Sequence, residues 1–282
     1  MSPTTTAEFR QRAGLDVLMW PVFDTLGARA VVTTRRGGVS TRAAGDYSSL
    51  NLSLDVGDEA RDVMENRARA AATVDADVTD LVFASQRHGV EARVVTRADR
   101  GRGTLDPASA LGPADILVTR EPGPVLAILV ADCLPIVLLD PFARVLACVH
   151  AGWRGTLAGA AGAAVTAMTA LGARPGDVIA GLGPAISGGR YEVGADVAAS
   201  VDQAFGERSR AVLRPSVTTG KWLFDLTAAN RLLLADAGVA DGHIHAAEVP
   251  TGPDPGLFFS HRSRQPCGRF AALARLLPPG EA

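Results

Sequence analysis

The chain has 282 residues, 28 Lys and Arg against 30 Asp and Glu for a net charge of −2, and 47% apolar residues. That balance excludes a disordered chain and a binder of nucleic acid that works by bulk charge, and it leaves ample apolar material for a core. The three cysteines, Cys133, Cys148 and Cys267, are few and odd in number, which excludes a disulfide framework and favours a reducing compartment.

Residues 1–14 contain no apolar core of signal-peptide length behind a basic start and read as a frayed, flexible arm. Ala28 to Thr34 reads as a β-branched strand, and Arg35 to Ser40 as a glycine turn with solvated charges. In the next stretch Asn51 stands between Leu50 and Leu52, on the opposite face from them if extended. Asp58 reads as the N-cap of a helix with Val63, Met64 and Ala68 on one stripe. Leu81 to Gly89 is a short strand that ends at His88. Residues 98–113, rich in Gly and Pro, read as a surface loop, and Ala114 to Thr119 as a strand.

The centre of the chain runs LVADCLPIVLLDPFARVLACVHAGWRG, from Leu129 to Gly155. An apolar run is broken by Asp132 and Cys133, turns at Asp140-Pro141, and resumes up to His150. Polar groups inside such a run oppose burial, and rule-breaking of this kind marks a site. The apolar run from Val125 to Leu139 is interrupted by Asp132 and Pro135 and is too short to span a bilayer. A cytoplasmic protein without membrane or nucleic-acid partners is expected. Residues 156–172 form a helix of small residues. Val178 to Leu182 is a strand; Val197, Val201 and Phe205 share a helix face; Trp222 to Leu226 leads into another helix. Ile244-His245 begins an alternation, Leu257 to Arg262 is a strand end, and Gly268-Arg269-Phe270 opens a closing helix. With no repeat or linker, the irregular alternation favours one α+β domain over residues 1–282.

Thiolate and imidazole are preferred zinc ligands, and a catalytic zinc keeps three protein ligands and one open position. His88, Cys133 and His150 make such a set. Cys148 rivals Cys133, because it shares a strand face with His150; Cys133 is preferred because it stands where the apolar run breaks. An open zinc could activate water against a purine C6, with Asp132 or Glu192 as the acid/base. Arg154 and Arg262 could hold an anion such as phosphate. The same residues also suit a metal-free cysteine hydrolase, with Cys133 as nucleophile and His150 or His88 as base. Five histidines, His88, His150, His243, His245 and His261, are too few for the copper sites of a multicopper oxidase.

The pieces SSLNLSLDVGD, ENR, QRHG, ADILVT, ADCLPI, HAGWRG, GPAIS with YEVG, FDL with Asn230, and FFSHR with Gly268-Arg269 together resemble the YfiH-type family, also called laccase-domain or polyphenol oxidase-like proteins. The likeness runs from about Thr33 to Phe270. It implies an α+β fold of layered mixed β-sheets with helices on the outer faces. It implies zinc on His88, Cys133 and His150, with copper as the competing metal. The implied activity is phosphorolysis of purine nucleosides: adenosine, inosine and methylthioadenosine give free base and ribose 1-phosphate or its methylthio analogue. Adenosine deamination is implied as a side activity, and a peptidoglycan-precursor editing amidase, a UDP-muramoyl-amino acid hydrolase, as an alternative. On this resemblance Asn51 and Arg67 hold substrate or the loop over it, Arg154 and Arg262 hold phosphate, and Asp132 and Glu192 are candidates to protonate the leaving purine. The chain departs from the family pattern at Arg87 (commonly valine), His261 (an aromatic), Val249-Pro250-Thr251 (a Cys-Thr pair) and Cys267 (threonine). A structural zinc in a binding module would instead need a fourth ligand, with His245 or Cys148 as the residues to examine. A homo-oligomer is left open.

Overall fold

A computed structural model describes residues 6–41, 46–252 and 256–280. In chain order the strands are β1 Glu8–Arg12, β2 Leu15–Met19, β3 Ala28–Thr33, β4 Leu81–Phe83, β5 Ala92–Val94, β6 Ile116–Thr119, β7 Val125–Val130, β8 Leu134–Asp140, β9 Val145–Ala151, β10 Ile179–Leu182, β11 Ala185–Ile186, β12 Glu192–Val193, β13 Leu213–Pro215, β14 Trp222–Phe224, β15 Ile244–Ala246, β16 Pro250–Thr251 and β17 Phe270–Leu276. The α-helices are α1 Pro21–Thr25, α2 Ala60–Ala72, α3 Trp153–Leu157, α4 Ala160–Ala170, α5 Ala195–Phe205 and α6 Leu226–Asp236. Among the described residues no helix is long and apolar enough to cross a membrane.

Two six-stranded sheets form the centre, in the orders β1-β2-β3-β17-β7-β4 and β15-β10-β8-β9-β6-β5. Both are mixed: β4 runs parallel to β7, β5 to β6, and β15 to β10, while their other pairs are antiparallel. The period of two along each strand sorts the side chains into layers. On β7, Leu126, Ile128 and Val130 face a core shared with Val137 and Leu139 of β8 and Leu146 and Cys148 of β9. That core lies between the sheets and also takes Trp20, Phe23, Phe258, Phe259 and Phe270. The alternate residues Ile136, Leu138, Ala147 and Val149 pack against Ala161, Ala164 and Met168 of α4 and Leu234 of α6. On the other outer face, Val17, Val31, Ala127 and Leu273 meet Ala70 and Ala71 of α2. The result is helix, sheet, sheet, helix, as layered α+β architecture predicts. Alanines on α4 let that helix approach the sheet closely.

Several local expectations change. The arm expected over residues 1–14 is a strand over Glu8–Arg12, paired with β2 from Glu8↔Met19 to Arg12↔Leu15; residues 1–5 lie outside the described residues. Its charges sit on a sheet edge, where they discourage pairing with another chain. The closing segment FAALARL is strand β17, not a helix. Ala, Leu and Arg are good helix formers, but this segment is inserted between β3 and β7. Burial on both faces erases the alternation that would have marked it as a strand. Residues 257–262 form no strand; Phe258 and Phe259 simply plug the inter-sheet core. Residues 47–54 are irregular. Asp58 does not cap α2: the N-cap is Glu59, without a side-chain bond, and an Asp58 oxygen instead accepts from Asn51 Nδ2 at 2.9 Å. Arg35 is not solvated, since it pairs with Asp46 and lies 4.5 Å over the Phe259 ring. The small-residue helix is two helices, broken at Gly159 with φ +89°.

Candidate active site

β7 belongs to one sheet and β8 to the other, so the chain must cross between them. It does so in three residues, Ala131-Asp132-Cys133, which places Cys133 at the seam rather than inside a strand. Register then collects its neighbours. Pro135 pairs with His150 on β9, and Val149 pairs with Ile116 on β6. The His150 N–H donates to the Asp115 carbonyl at 2.8 Å, so thiol, imidazole and carboxylate come from neighbouring strands.

His88 arrives from the segment after β4. That segment is held by Gln86, whose side-chain amide exchanges two hydrogen bonds with the Leu129 backbone, at 2.8 and 2.9 Å. His88 adopts φ +61°, in the left-handed region that non-glycine residues rarely occupy. Asp115 offsets that cost. Its carboxylate accepts from the backbone N–H groups of Arg87, His88 and Gly89 at 3.0, 2.9 and 2.7 Å. The same carboxylate lies 2.7 Å from His150 Nδ1, which leaves Nε2 free to act as a ligand. One fully buried acid thus orients two of the three donor residues. Burial pushes the Asp115 carboxyl up, but the His150 bond and the Gly89 and Arg87 amides outweigh it and hold it at about 2.

The donor atoms of His88, Cys133 and His150 lie within 4.8 Å of one another, and the two rings stand edge to face with centroids 4.7 Å apart. Burial raises the Cys133 thiol, yet the His150 charge and bonds from both imidazoles bring it down to about 6. Burial lowers His150, whereas the Cys133 thiolate and Asp115 raise it to about 9. Each group thus favours the charged form of the other, thiolate beside imidazolium. Glycines keep the cradle open: a Cβ on Gly152 would lie 2.9 Å from both Cys133 Sγ and His88 Cδ2, and one on Gly155 would lie 3.1 Å from the Gly89 carbonyl. This is a physical reason for HAGWRG. A soft sulfur, two imidazole nitrogens, a carboxylate behind one ring and a space too small for a methyl group fit a divalent transition metal with an open position. Among the described residues no fourth His, Cys, Asp or Glu joins the cluster. Cys148 is wholly buried in the inter-sheet core, where burial pushes its thiol up, and His245 lies on β15.

The cluster opens into a cavity of about 960 Å³, lined near the donors by Asp132, Trp153, Tyr191, His261 and Arg262, and farther along by Arg67, Phe83 and the 107–112 segment. Asp132 lines it, but its oxygens accept from the Thr251 hydroxyl at 2.6 Å and the Arg262 N–H at 2.8 Å. Glu192 is outside the lining and accepts from Ser216 Oγ at 2.5 Å. Arg262 lines the cavity and donates Nη1 to the Glu192 carbonyl at 3.0 Å. Arg154 is exposed, outside the lining, and lies over the Trp153 ring at 4.3 Å. Arg67 lines the cavity but donates to the carbonyls of Leu52, Gly103 and Thr104. Asn51 is fully buried behind it, with its amide bonded to Ser53, Asp58 and the Arg269 N–H.

Asp115 and Tyr191 were not singled out by sequence reasoning. For Asp115 the signal was present: an acid opens the apolar stretch ADILVT, the same anomaly that drew attention to Asp132.

Residues 29–277 match a family model described as multi-copper polyphenol oxidoreductase laccase. The chain is 40% identical over 249 residues to "Purine nucleoside phosphorylase YlmD" of Geobacillus stearothermophilus, covering 88% of this chain and 89% of the relative. It is 38% identical over 236 residues to "Adenosine deaminase RL5" of an unknown prokaryotic organism, covering 84% and 88%. Among solved structures, Bacillus licheniformis YfiH superposes with a TM-score of 0.88 at 32% identity, covering 95% of this chain and 98% of that one. YlmD of Geobacillus stearothermophilus gives 0.87 at 37%, covering 96% and 99%.

Proposed function

Because this chain belongs to the laccase-like family that includes YfiH and YlmD, we propose that it is a metal-dependent purine nucleoside phosphorylase. It would cleave adenosine, inosine and methylthioadenosine with phosphate to free base and (methylthio)ribose 1-phosphate, in the cytoplasm. The observation that carries the reading is the three-donor cluster at the end of a large cavity, in a chain whose relatives bear that name.

We assign His88, Cys133 and His150 as the metal ligands, with zinc as the metal and copper as a competitor that availability would have to exclude. A metal held there supplies a Lewis acid that polarises substrate or water. The chain's own residues do the rest. Asp115 holds the His150 ring and the 87–89 backbone. Trp153, Tyr191 and Ile186 give the cavity walls that exclude water around a flat base. Arg262 is our phosphate residue, since it lines the cavity; phosphate near the ribosyl carbon stabilises the positive charge that develops as the glycosidic bond breaks. Arg154 stands outside the lining and would contribute only long-range attraction. Arg67 and Asn51 act by holding the cavity wall. Asp132 and Glu192 already accept hydrogen bonds from the protein, and we assign neither to the leaving base. The oxidase wording of the family description draws no support from five histidines, only two of which meet at the site.

The relative named as a deaminase favours a second reaction at the same site, hydrolytic loss of ammonia from adenosine. The experiment is adenosine turnover by metal-analysed protein, with and without phosphate, following adenine, ribose 1-phosphate and inosine. Phosphate-dependent adenine release, lost in His88→Ala, supports the phosphorylase. Inosine formed without phosphate makes deamination the main reaction. If neither product forms while release of an amino acid from a UDP-muramoyl substrate proceeds, the amidase replaces it.

A further inference from the structure

Asp132 and Glu192 already accept hydrogen bonds from the protein, and the cavity wall also carries a neutral donor, Tyr191. Tyr191 is 9% exposed. Its backbone is held at both ends, by the bond from its N–H to the Ser187 carbonyl and by the Phe224 N–H on its own carbonyl, each 3.0 Å. Its ring packs beside Phe224, with centroids 6.2 Å apart, and the Arg262 guanidinium lies 5.1 Å from its centroid. The phenol oxygen has no hydrogen-bond partner among the described residues. It is also absent from the buried atoms that lack a partner, which are Asn230 Oδ1, His243 Nδ1 and Arg275 Nε. The oxygen must reach open space, and the space beside it is the cavity that Cys133, Asp132 and His150 also line. A hydroxyl that opens onto the cavity without a protein partner is available to a ligand there.

We propose that Tyr191 is a catalytic residue whose hydroxyl donates a hydrogen bond to a ring nitrogen of the departing purine. The inference rests on the phosphorylase reading above. As the glycosidic C–N bond breaks, its electron pair moves onto the purine, and a phosphate oxygen bonds to the ribosyl carbon. The Tyr191 hydroxyl stabilises the growing negative charge while keeping its proton, and the released base takes its proton from water. A backbone held by two hydrogen bonds and a ring packed against Phe224 lower the cost of orienting the donor during the reaction.

The test compares Tyr191→Phe with the native enzyme on inosine and on 7-methylinosine, whose base leaves as a neutral molecule and needs no such donor. On inosine, kcat should fall about 100-fold, the lower end of what one preorganised hydrogen-bond donor contributes. KM should rise by no more than about tenfold, the loss of one ground-state hydrogen bond, and metal content should not change. On 7-methylinosine the variant should match the native enzyme. Free hypoxanthine should bind metal-free variant about tenfold more weakly by equilibrium dialysis, the loss of one hydrogen bond. An unchanged kcat on inosine overturns the assignment, as does an equal loss on both substrates, which would mark Tyr191 as a packing residue. Native enzyme that shows no phosphate-dependent cleavage of either nucleoside defeats the phosphorylase reading itself.

Discussion

Two polar networks border the same cavity, and they are built oppositely. Around Asp115, a carboxylate gathers three backbone amides and a ring nitrogen, and the network ends in donor atoms that face open space. Around Asn51, Asn66 and Arg67, every bond closes back on the protein. Asn66 Nδ2 donates to Ser40, Ser49 and Asn51 while its oxygen accepts from Val39, and Arg67 binds three carbonyls. The first network ends in three donor atoms that meet one another beside the cavity and can do chemistry. The second has satisfied itself and can only hold shape. Polarity and burial alone do not distinguish them; where the bonds end does.

The sharpest way to break the contrast is Cys133→Ala. Metal content should drop to background, and turnover should fall about 1,000-fold or more, as several kcal/mol of charge stabilisation are lost. The thermal transition, followed by circular dichroism, should still report a folded protein. Asp115→Asn tests the anchor. It keeps the shape but removes the charge that orients His150 and the 87–89 amides, and metal affinity measured by chelator competition should fall about 10- to 100-fold.

Metal affinity should also depend on pH in a way the second network cannot produce. His150, raised to about 9, and Cys133, lowered to about 6, both exchange protons for metal. Between those values metal must displace the His150 proton, so affinity should rise by about tenfold or more per pH unit. Toward lower pH the thiol also takes up a proton that metal must displace, and the rise should steepen. Above pH 9 it should flatten. A flat profile across pH 6 to 9 would remove the ion pair from the site.

The smallest effect belongs to the closed network. Arg67→Met leaves three carbonyls without their donor and should lower stability by about 1–3 kcal/mol, read as a shift in the urea midpoint. Metal content should not change. If it does, the two networks are coupled, and the distinction drawn between them fails.

The chemistry-bearing residues were legible in the chain because they interrupt patterns. Cys133 breaks an apolar run, His150 ends one, and His88 follows a strand into polar sequence. Asp115 breaks a run in the same way, but its meaning depends on β6 lying beside β9 and on a loop 27 residues upstream bending back to it. No local pattern encodes that pairing. The Asn51 and Arg67 side chains could be read as holding either substrate or the loop over it, for a related reason. A polar residue type shows that a bond must exist but not whether its partner is a ligand or a carbonyl 36 residues away.

Local sequence set the types of several elements. The apolar runs of β8 and β9, divided by the turn at Asp140-Pro141, read as strands and are buried at every position. Residues 60–72 read as a helix, although its buried face is Val63, Asn66, Arg67, Ala70 and Ala71 and not the stripe of Val63, Met64 and Ala68, because Ala68 is exposed. Local sequence failed for β17, where alanine, leucine and arginine favour a helix and insertion between two strands overrides them. Which strands are neighbours, where the chain crosses from one sheet to the other, and which side chains meet the cavity are long-range facts. They follow from burying apolar faces against partners distant in sequence. The chain therefore announces a thiol and two imidazoles, and packing alone brings their donor atoms within reach of a single ion.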